Sequence, residues 1–214
     1  MTARATCLRA STGRYSAVAK NKASKALLAA DEAAAEAALP YQGSPAMEAL
    51  GRFASLGDQP PLRTLCAALI AAGAAGGNAR LARTGVRMLV AHTLATLAKD
   101  YVKERVDRTR PRSKGDKGKN HVPSPGRDSS KEETSFPSGH SAGAAAVARA
   151  FARDYPEYAG PALAVGGALA LAQIPRCAHY PTDVAAGLAI GLAAEAAVDI
   201  GIGLVKEPDG PART

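Results

Sequence analysis

The sequence predicts an all-α protein, an up-and-down bundle of about five core helices, and three observations carry that prediction. Hydrophobic residues make up 47% of the 214, but Ala and Gly dominate them, aromatics are 4% and Trp is absent. Ala is the best helix former, whereas the β-branched and aromatic residues that favour strands are sparse. No stretch alternates apolar and polar residues with period two, and the apolar segments lie between Gly, Pro and Ser breaks. A chain of this length forms one domain with a single core.

The elements follow in order. Residues 1–45 form a basic arm (Arg4, Arg9, Arg14, Lys20, Lys22, Lys25) with one Ala-rich helix from Lys25 to Leu39. That helix carries Asp31, Glu32 and Glu36, too polar to span a bilayer, and stops at Pro40 and the Gly43-Ser44-Pro45 break. The helical domain then covers 46–205. A short helix, Met47 to Leu56, is closed by Gly57, and Pro60-Pro61 start a first long helix that runs to Gly76-Gly77. A polar corner leads to a second, from Thr84 to about Val106. Within the 107–137 loop, Pro111 to Thr134 is rich in Pro, Gly, Ser and alternating charge, the pattern of a binding loop or lid. A third helix begins at Ser138 or Gly139 and ends before Pro156, a fourth runs from Pro161 to Ile174, and a fifth from Thr182 to Leu204. Residues 206–214 are a polar tail.

The formal net charge of +8 points to an anionic partner. Nucleic acid fits poorly, because no helix-turn-helix, zinc-finger or aromatic stacking pattern accompanies the charge. Basic residues crowd the N-terminal arm and the stretch from Lys99 to Lys131, where a solvated surface is the plain alternative. Cys7, Cys66 and Cys177 are odd in number and scattered, which gives neither a disulfide framework nor a zinc pattern. Cys66 reads as a core residue; Cys177, close to His179, is either buried or a candidate thiol nucleophile.

Hydropathy leaves the surroundings of the bundle open. No signal peptide is visible. Candidate spans are Leu62 to Gly77, Thr84 to Ala98, Gly160 to Ile174 and Val184 to Val205, with a shorter one from Ser141 to Phe151. None gives an uninterrupted run of about 18 to 20 strongly apolar residues. The last is long enough but contains Glu195 and Asp199. Small residues at four-residue spacing (Gly73 and Gly77, Gly187 and Gly191) suit tight packing in lipid, and equally the core of a soluble Ala-rich bundle.

Three separated patches carry the chemistry. The first, Lys103 to Pro111, includes Arg105, Arg108 and Arg110; the second is Pro137-Ser138-Gly139-His140; the third runs from Arg176 through His179 to Asp183. In an up-and-down bundle they fall at the end of the second helix, the start of the third, and the junction of the fourth and fifth. Those ends share one face, so the patches converge. Ser138 suits an N-cap, Gly139 admits close approach to helix-start amides, and such an end binds anions. Lys103 and Arg110 supply a point charge and a fork for phosphate oxygens. His179 sits on a turn before Pro181. Asp183, four residues on, either takes a hydrogen bond from one ring nitrogen or serves as a helix-start charge. A metal is disfavoured, because the neighbouring Lys and Arg repel a cation.

These patches resemble the signature of the type 2 phosphatidic acid phosphatase superfamily, which also contains bacterial non-specific acid phosphatases and vanadium-dependent haloperoxidases. The pattern is Lys, six residues, Arg-Pro; then Pro-Ser-Gly-His; then Ser-Arg, five residues, His, three residues, Asp. Lys103, Arg110-Pro111, Pro137 to His140, His179 and Asp183 match it, while Ala172 and Gln173 stand where the family has Ser-Arg. Arg176, three residues before His179, is the nearest substitute for that arginine. The resemblance implies that His179 attacks phosphorus and forms a phosphohistidine, and that Asp183 orients and polarises it. It implies that His140 protonates the leaving alcohol and then activates water. Lys103, Arg110, Arg176 and the backbone at Ser138 and Gly139 would neutralise the phosphoryl oxygens, without metal or cofactor.

The expected function is therefore a metal-independent phosphatase of a lipid phosphomonoester or pyrophosphate, in a multi-pass protein of an inner-membrane type of bilayer. A soluble acid phosphatase, a vanadium haloperoxidase and a non-catalytic protein binding anionic lipid are the alternatives. Charge bias would put the Lys99 to Lys131 loop on the cytoplasmic face, whereas the resemblance more often implies a site facing away from it.

Overall fold

A computed structural model describes residues 22–113 and 122–205; the expectations for the N-terminal arm up to residue 21, including Cys7, for 114–121 and for the 206–214 tail lie outside them. Seven α-helices make up the described chain: α1 (Lys22–Ala38), α2 (Pro45–Ala54), α3 (Gln59–Ala75), α4 (Ala79–Lys103), α5 (Gly139–Asp154), α6 (Ala159–Leu171) and α7 (Pro181–Val205). The all-α expectation holds, and five of these, α3 to α7, build the bundle.

Local chemistry explains the boundaries. Ser44 caps α2 by accepting from the Met47 amide at 3.3 Å, with Pro45 at the first helical position. Helix α4 begins at Ala79, five residues before Thr84, because Asn78 accepts from the Leu81 amide at 3.0 Å and caps the polar corner. Gly77 ends the preceding turn with φ +67, a conformation that favours glycine.

The 107–137 loop is more ordered than its composition suggests. Val106–Asp107 (β1) pairs antiparallel with Ser124–Pro125 (β2). Further on, Arg108 donates its amide to Glu133 and accepts from Ser135, and Arg110 donates to Glu132. The two ends of the loop therefore run side by side. This pairing fixes Arg110 and Ser135 relative to each other, and no apolar periodicity announces it.

Helix α5 is the centre of the bundle, packed by α4, α6 and α7. Its Ala142, Ala144, Ala146, Ala148 and Ala150 are buried, which lets the neighbouring backbones come close. Gly187 and Gly191 of α7 lie against the Ser138 and Ala142 carbonyls, so a Cβ at either would collide with backbone. The four-residue glycine spacing is a close helix contact. Glu195 and Asp199, the charges that interrupt α7, are paired. Glu195 accepts from Arg153 Nε at 2.7 Å with Arg87 at 3.6 Å, and Asp199 lies 2.8 Å from Arg87 and 2.9 Å from Arg153.

Candidate active site

Where α3, α5 and α7 begin and α4 ends, the structure forms an open cavity of about 170 Å³. Gly57, Asp58, Gln59, Lys99, Lys103, Arg110, Gly139, His140 and His179 line it. The structure thus brings Lys103, Arg110, Gly139, His140 and His179 together from three distant stretches of sequence. Ser138, Asp183 and Arg176 stand behind or beside this wall.

His179 is buried in the turn before α7, and its protonation pattern follows from its two partners. Nδ1 lies 2.7 Å from the Ser135 carbonyl oxygen, which can only accept, so Nδ1 carries the hydrogen. Nε2 lies 3.2 Å from Arg110 Nη1, which can only donate, so Nε2 presents a lone pair. Burial, with the Arg110 and Lys103 cations beside it, pushes the imidazole down to about 4 despite Asp183. The ring is neutral at pH 7, with Nε2 at the cavity.

Asp183 does not accept directly from the ring. Its Oδ2 is 3.8 Å from Nδ1 and instead accepts from Ser135 Oγ at 2.6 Å and the Tyr180 amide at 2.9 Å. The carboxylate thereby holds both the residue whose carbonyl orients His179 and the start of α7. Of the two roles open in the sequence, it combines the helix-start charge with an indirect grip on the histidine.

The cations are aimed by backbone oxygens. Lys103 Nζ donates to the Thr134 carbonyl at 2.6 Å; Arg110 donates to the carbonyls of Lys131 at 2.7 Å, Ala178 at 2.9 Å and Thr134 at 3.3 Å. Carbonyls orient these groups without cancelling their charge. Burial lowers Lys103 to about 7, with Arg110 and Lys99 adding repulsion, and lowers Arg110 to about 10. Both effects reflect first the cost of burying a cation and then repulsion from its neighbours, and a bound anion would offset both.

His140 lies across the cavity, its ring centroid 6.3 Å from that of His179. Its Nε2 pairs with Asp58 Oδ1 at 2.5 Å. Burial holds its imidazolium below the usual range, with Arg176 and Arg110 adding to this and Asp58 opposing it. Ser138 caps α5, its Oγ accepting from the Ser141 amide at 3.3 Å. Its own amide is taken by the Asp183 carbonyl at 3.0 Å, so the helix-start donors left are those of Gly139 and His140. A Cβ on Gly139 would press on the Lys99 side chain at 3.2 Å, so glycine keeps that cation against the helix start.

Arg176 donates to Gln173 Oε1 at 3.2 Å and lies beside Gly51, outside the residues that line the cavity. Its charge reaches the site through His140 rather than through contact with the cavity wall. Cys177 is fully buried, with Sγ 3.9 Å from the Ala35 carbonyl, and burial raises its thiol above the usual range. It has the environment of a packing residue, not of a nucleophile.

Sequence reasoning missed four contributors. Asp58 was legible through helix parity, since α3 starts at the same end, but an acid before Gln59-Pro60 reads as an N-cap; its side chain goes to His140 instead. Lys99 was legible as the residue one turn before Lys103. Ser135 acts through a backbone carbonyl and leaves no signature. Arg108 reads as one more basic residue, yet it is fully buried and paired with both Asp31 and Asp183. Among the described residues, no three His, Cys, Asp or Glu side chains are placed to hold a metal ion.

An all-α bundle with a buried neutral histidine facing a cation-lined cavity defines the class of site. Comparison with known proteins then gives the family. The model of the PAP2 superfamily matches residues 84–199, and the chain belongs to that superfamily. The fold is similar to that in the crystal structure of the first transmembrane PAP2 type phosphatidylglycerolphosphate phosphatase from Bacillus subtilis. The TM-score is 0.60 at 22% identity, over 89% of this chain and 90% of that one. No curated protein matches the chain in sequence.

Proposed function

We propose that the protein is a metal-independent phosphatase that hydrolyses a lipid phosphomonoester or pyrophosphate through a phosphohistidine at His179. The observation that carries this reading is the fixed tautomer of His179, with Nδ1–H on the Ser135 carbonyl and Nε2 bare beside Arg110. In the first step the Nε2 lone pair forms the N–P bond as the bond from phosphorus to the leaving oxygen breaks. His140 gives its proton to that oxygen. In the second step His140 takes a proton from water, whose oxygen attacks phosphorus; the N–P bond breaks and inorganic phosphate leaves. Lys103, Arg110 and the amides of Gly139 and His140 hold the charge on the equatorial oxygens.

Two features support a lipid and a membrane setting. Helix α7 is long and apolar enough to cross a bilayer over Pro181–Leu204, with a hydropathy of 1.6, and only 22% of its 18-residue apolar window is buried inside the molecule. An apolar groove of about 450 Å³ between α3, α5 and α6, lined by Leu62, Leu69, Val147, Phe151 and Leu169 among others, offers room for a hydrocarbon tail. Leu169 also packs at Gly57, a residue of the catalytic cavity, so the groove ends beside the proposed chemistry.

The test is phosphate release from phosphatidate in detergent micelles, with chelator present. Wild-type protein is expected to release phosphate under these conditions and His179→Ala to lose that activity. Undiminished release by His179→Ala, or loss of wild-type activity to the chelator, contradicts the reading.

A further inference from the structure

Behind His179 lies a buried charge chain that begins in α1, far in sequence from the three patches. Asp31 is fully buried, although it sits in a helix with a polar, Ala-rich sequence. Its Oδ2 accepts from Arg108 Nη2 at 2.6 Å and from Thr182 Oγ1 at 2.5 Å, and its Oδ1 accepts from the Thr182 amide at 3.0 Å. Arg108 in turn donates Nη1 to Thr182 Oγ1 at 2.7 Å and to Asp183 Oδ1, and its guanidinium lies 4.1 Å from the centroid of the Tyr180 ring. The other oxygen of Asp183 holds Ser135. Ser135 is also tied by its amide to the Arg108 carbonyl at 3.0 Å, and its own carbonyl orients His179.

This arrangement has an electrostatic consequence. When Nε2 takes the phosphoryl group while Nδ1 keeps its hydrogen, the imidazole ring becomes a cation. The nearby carboxylate of Asp183 favours that state, and Arg108, sharing the same carboxylate, opposes it. A second carboxylate on Arg108 divides the guanidinium between two anions and leaves Asp183 with more of its charge for the ring. Asp31 is that second carboxylate. It also fixes the first turn of α7 through Thr182, so that Asp183 cannot drift from Ser135.

We infer that Asp31 is a positioning residue of the reaction, acting through Arg108 and Asp183 to stabilise the charged ring of His179 and linking helix α1 to the active site. The inference rests on the phosphatase reading above. It needs no contact between Asp31 and substrate, and none exists in the geometry: Asp31 is absent from the cavity wall.

The isosteric Asp31→Asn variant keeps the volume and one acceptor but removes the charge. It is expected to lower kcat on phosphatidate about 10- to 100-fold while KM changes by less than about twofold, with thermal unfolding used to normalise to folded protein. Thr182→Val, which removes the hydroxyl bridge but neither charge, is expected to lower kcat less than Asp31→Asn does. In an Arg108→Met background, where no buried cation needs a partner, Asp31→Asn is expected to have little further effect. That double variant also serves if Asp31→Asn alone fails to fold. An unchanged kcat in folded Asp31→Asn, a loss that merely follows the folded fraction, or an undiminished effect in the Arg108→Met background each overturns the inference while wild-type activity leaves the phosphatase reading standing. A wild-type protein inactive on every phosphate ester would overturn both.

Discussion

The two ends of the bundle hold similar numbers of charges and use them in opposite ways. Away from the cavity, Arg87, Arg149 and Arg153 meet Asp154, Glu195 and Asp199, and each of these three cations faces a carboxylate. At the cavity, Lys103 and Arg110 are oriented by the carbonyls of Thr134, Lys131 and Ala178, which aim them without neutralising them. Two carboxylates of that end, Asp31 and Asp183, are kept one layer back with Arg108, while Asp58 on the cavity wall pairs with His140 and Asp100 pairs with Lys99, so neither takes Lys103 or Arg110. One end cancels its charge internally. The other leaves a positive cavity that an anion completes, and this is what separates a packing device from a site.

The comparison breaks first at Arg110. Arg110→Gln removes a fork of donors from the cavity and is expected to lower kcat/KM about 100- to 1,000-fold, the scale of losing one preorganised donor to an oxyanion. Steady-state kinetics on phosphatidate checks it; a loss below tenfold in folded protein would mean that Arg110 does not carry transition-state charge. Glu195→Gln tests the other end. It weakens the pairing of half-buried Arg153 and of Arg87, both of which keep Asp199, and is expected to destabilise the fold by about 1 to 2 kcal/mol. The measurement is thermal unfolding beside kcat per folded molecule. A lower midpoint with kcat unchanged fits the division of labour, and a selective fall in kcat contradicts it.

A smaller effect sharpens the same contrast through pH. His179 is pushed down to about 4, so the neutral form that the proposed attack uses is lost as pH falls through that value. Lys103 is lowered to about 7, so its cation is lost as pH rises through about 7 in the free protein. His140, held below its usual range by burial, loses the proton meant for the leaving oxygen over the same rise. A plot of kcat/KM against pH is therefore expected to be bell-shaped, with an acid limb near 4 and an alkaline limb set by His140 and Lys103 together, once the ionisation of the substrate is divided out. Lys103→Arg is expected to leave the acid limb in place and to make the alkaline limb less steep, as only His140 then titrates there. An alkaline limb of unchanged steepness in that variant would remove Lys103 from it.

The contrast also explains what was legible in the sequence. His140, His179, Lys103 and Arg110 stood out because short spacing and helix parity are local signals, and parity needs only the order of the helices. The opposite end was misleading for the same reason. Glu195 and Asp199 read as obstacles to an apolar span because their partner Arg153 lies 42 residues from Glu195 and Arg87 lies 112 from Asp199. Asp31 reads as one of three acids on a polar helix, since nothing local distinguishes a buried acid from a solvated one. The Ser135 carbonyl is invisible because every residue has one. Only the register of the 107–137 loop, set by backbone pairing at Arg108, places it beneath His179.

All of these roles depend on His179 being the group that takes the phosphoryl transfer. The most direct measurement is rapid quenching of the protein with phosphatidate carrying a labelled phosphate, followed by mapping of the label. The expected result is an acid-labile, alkali-stable label on His179, absent from His179→Ala. Label on any other residue, or full turnover in His179→Ala without label, would contradict the account.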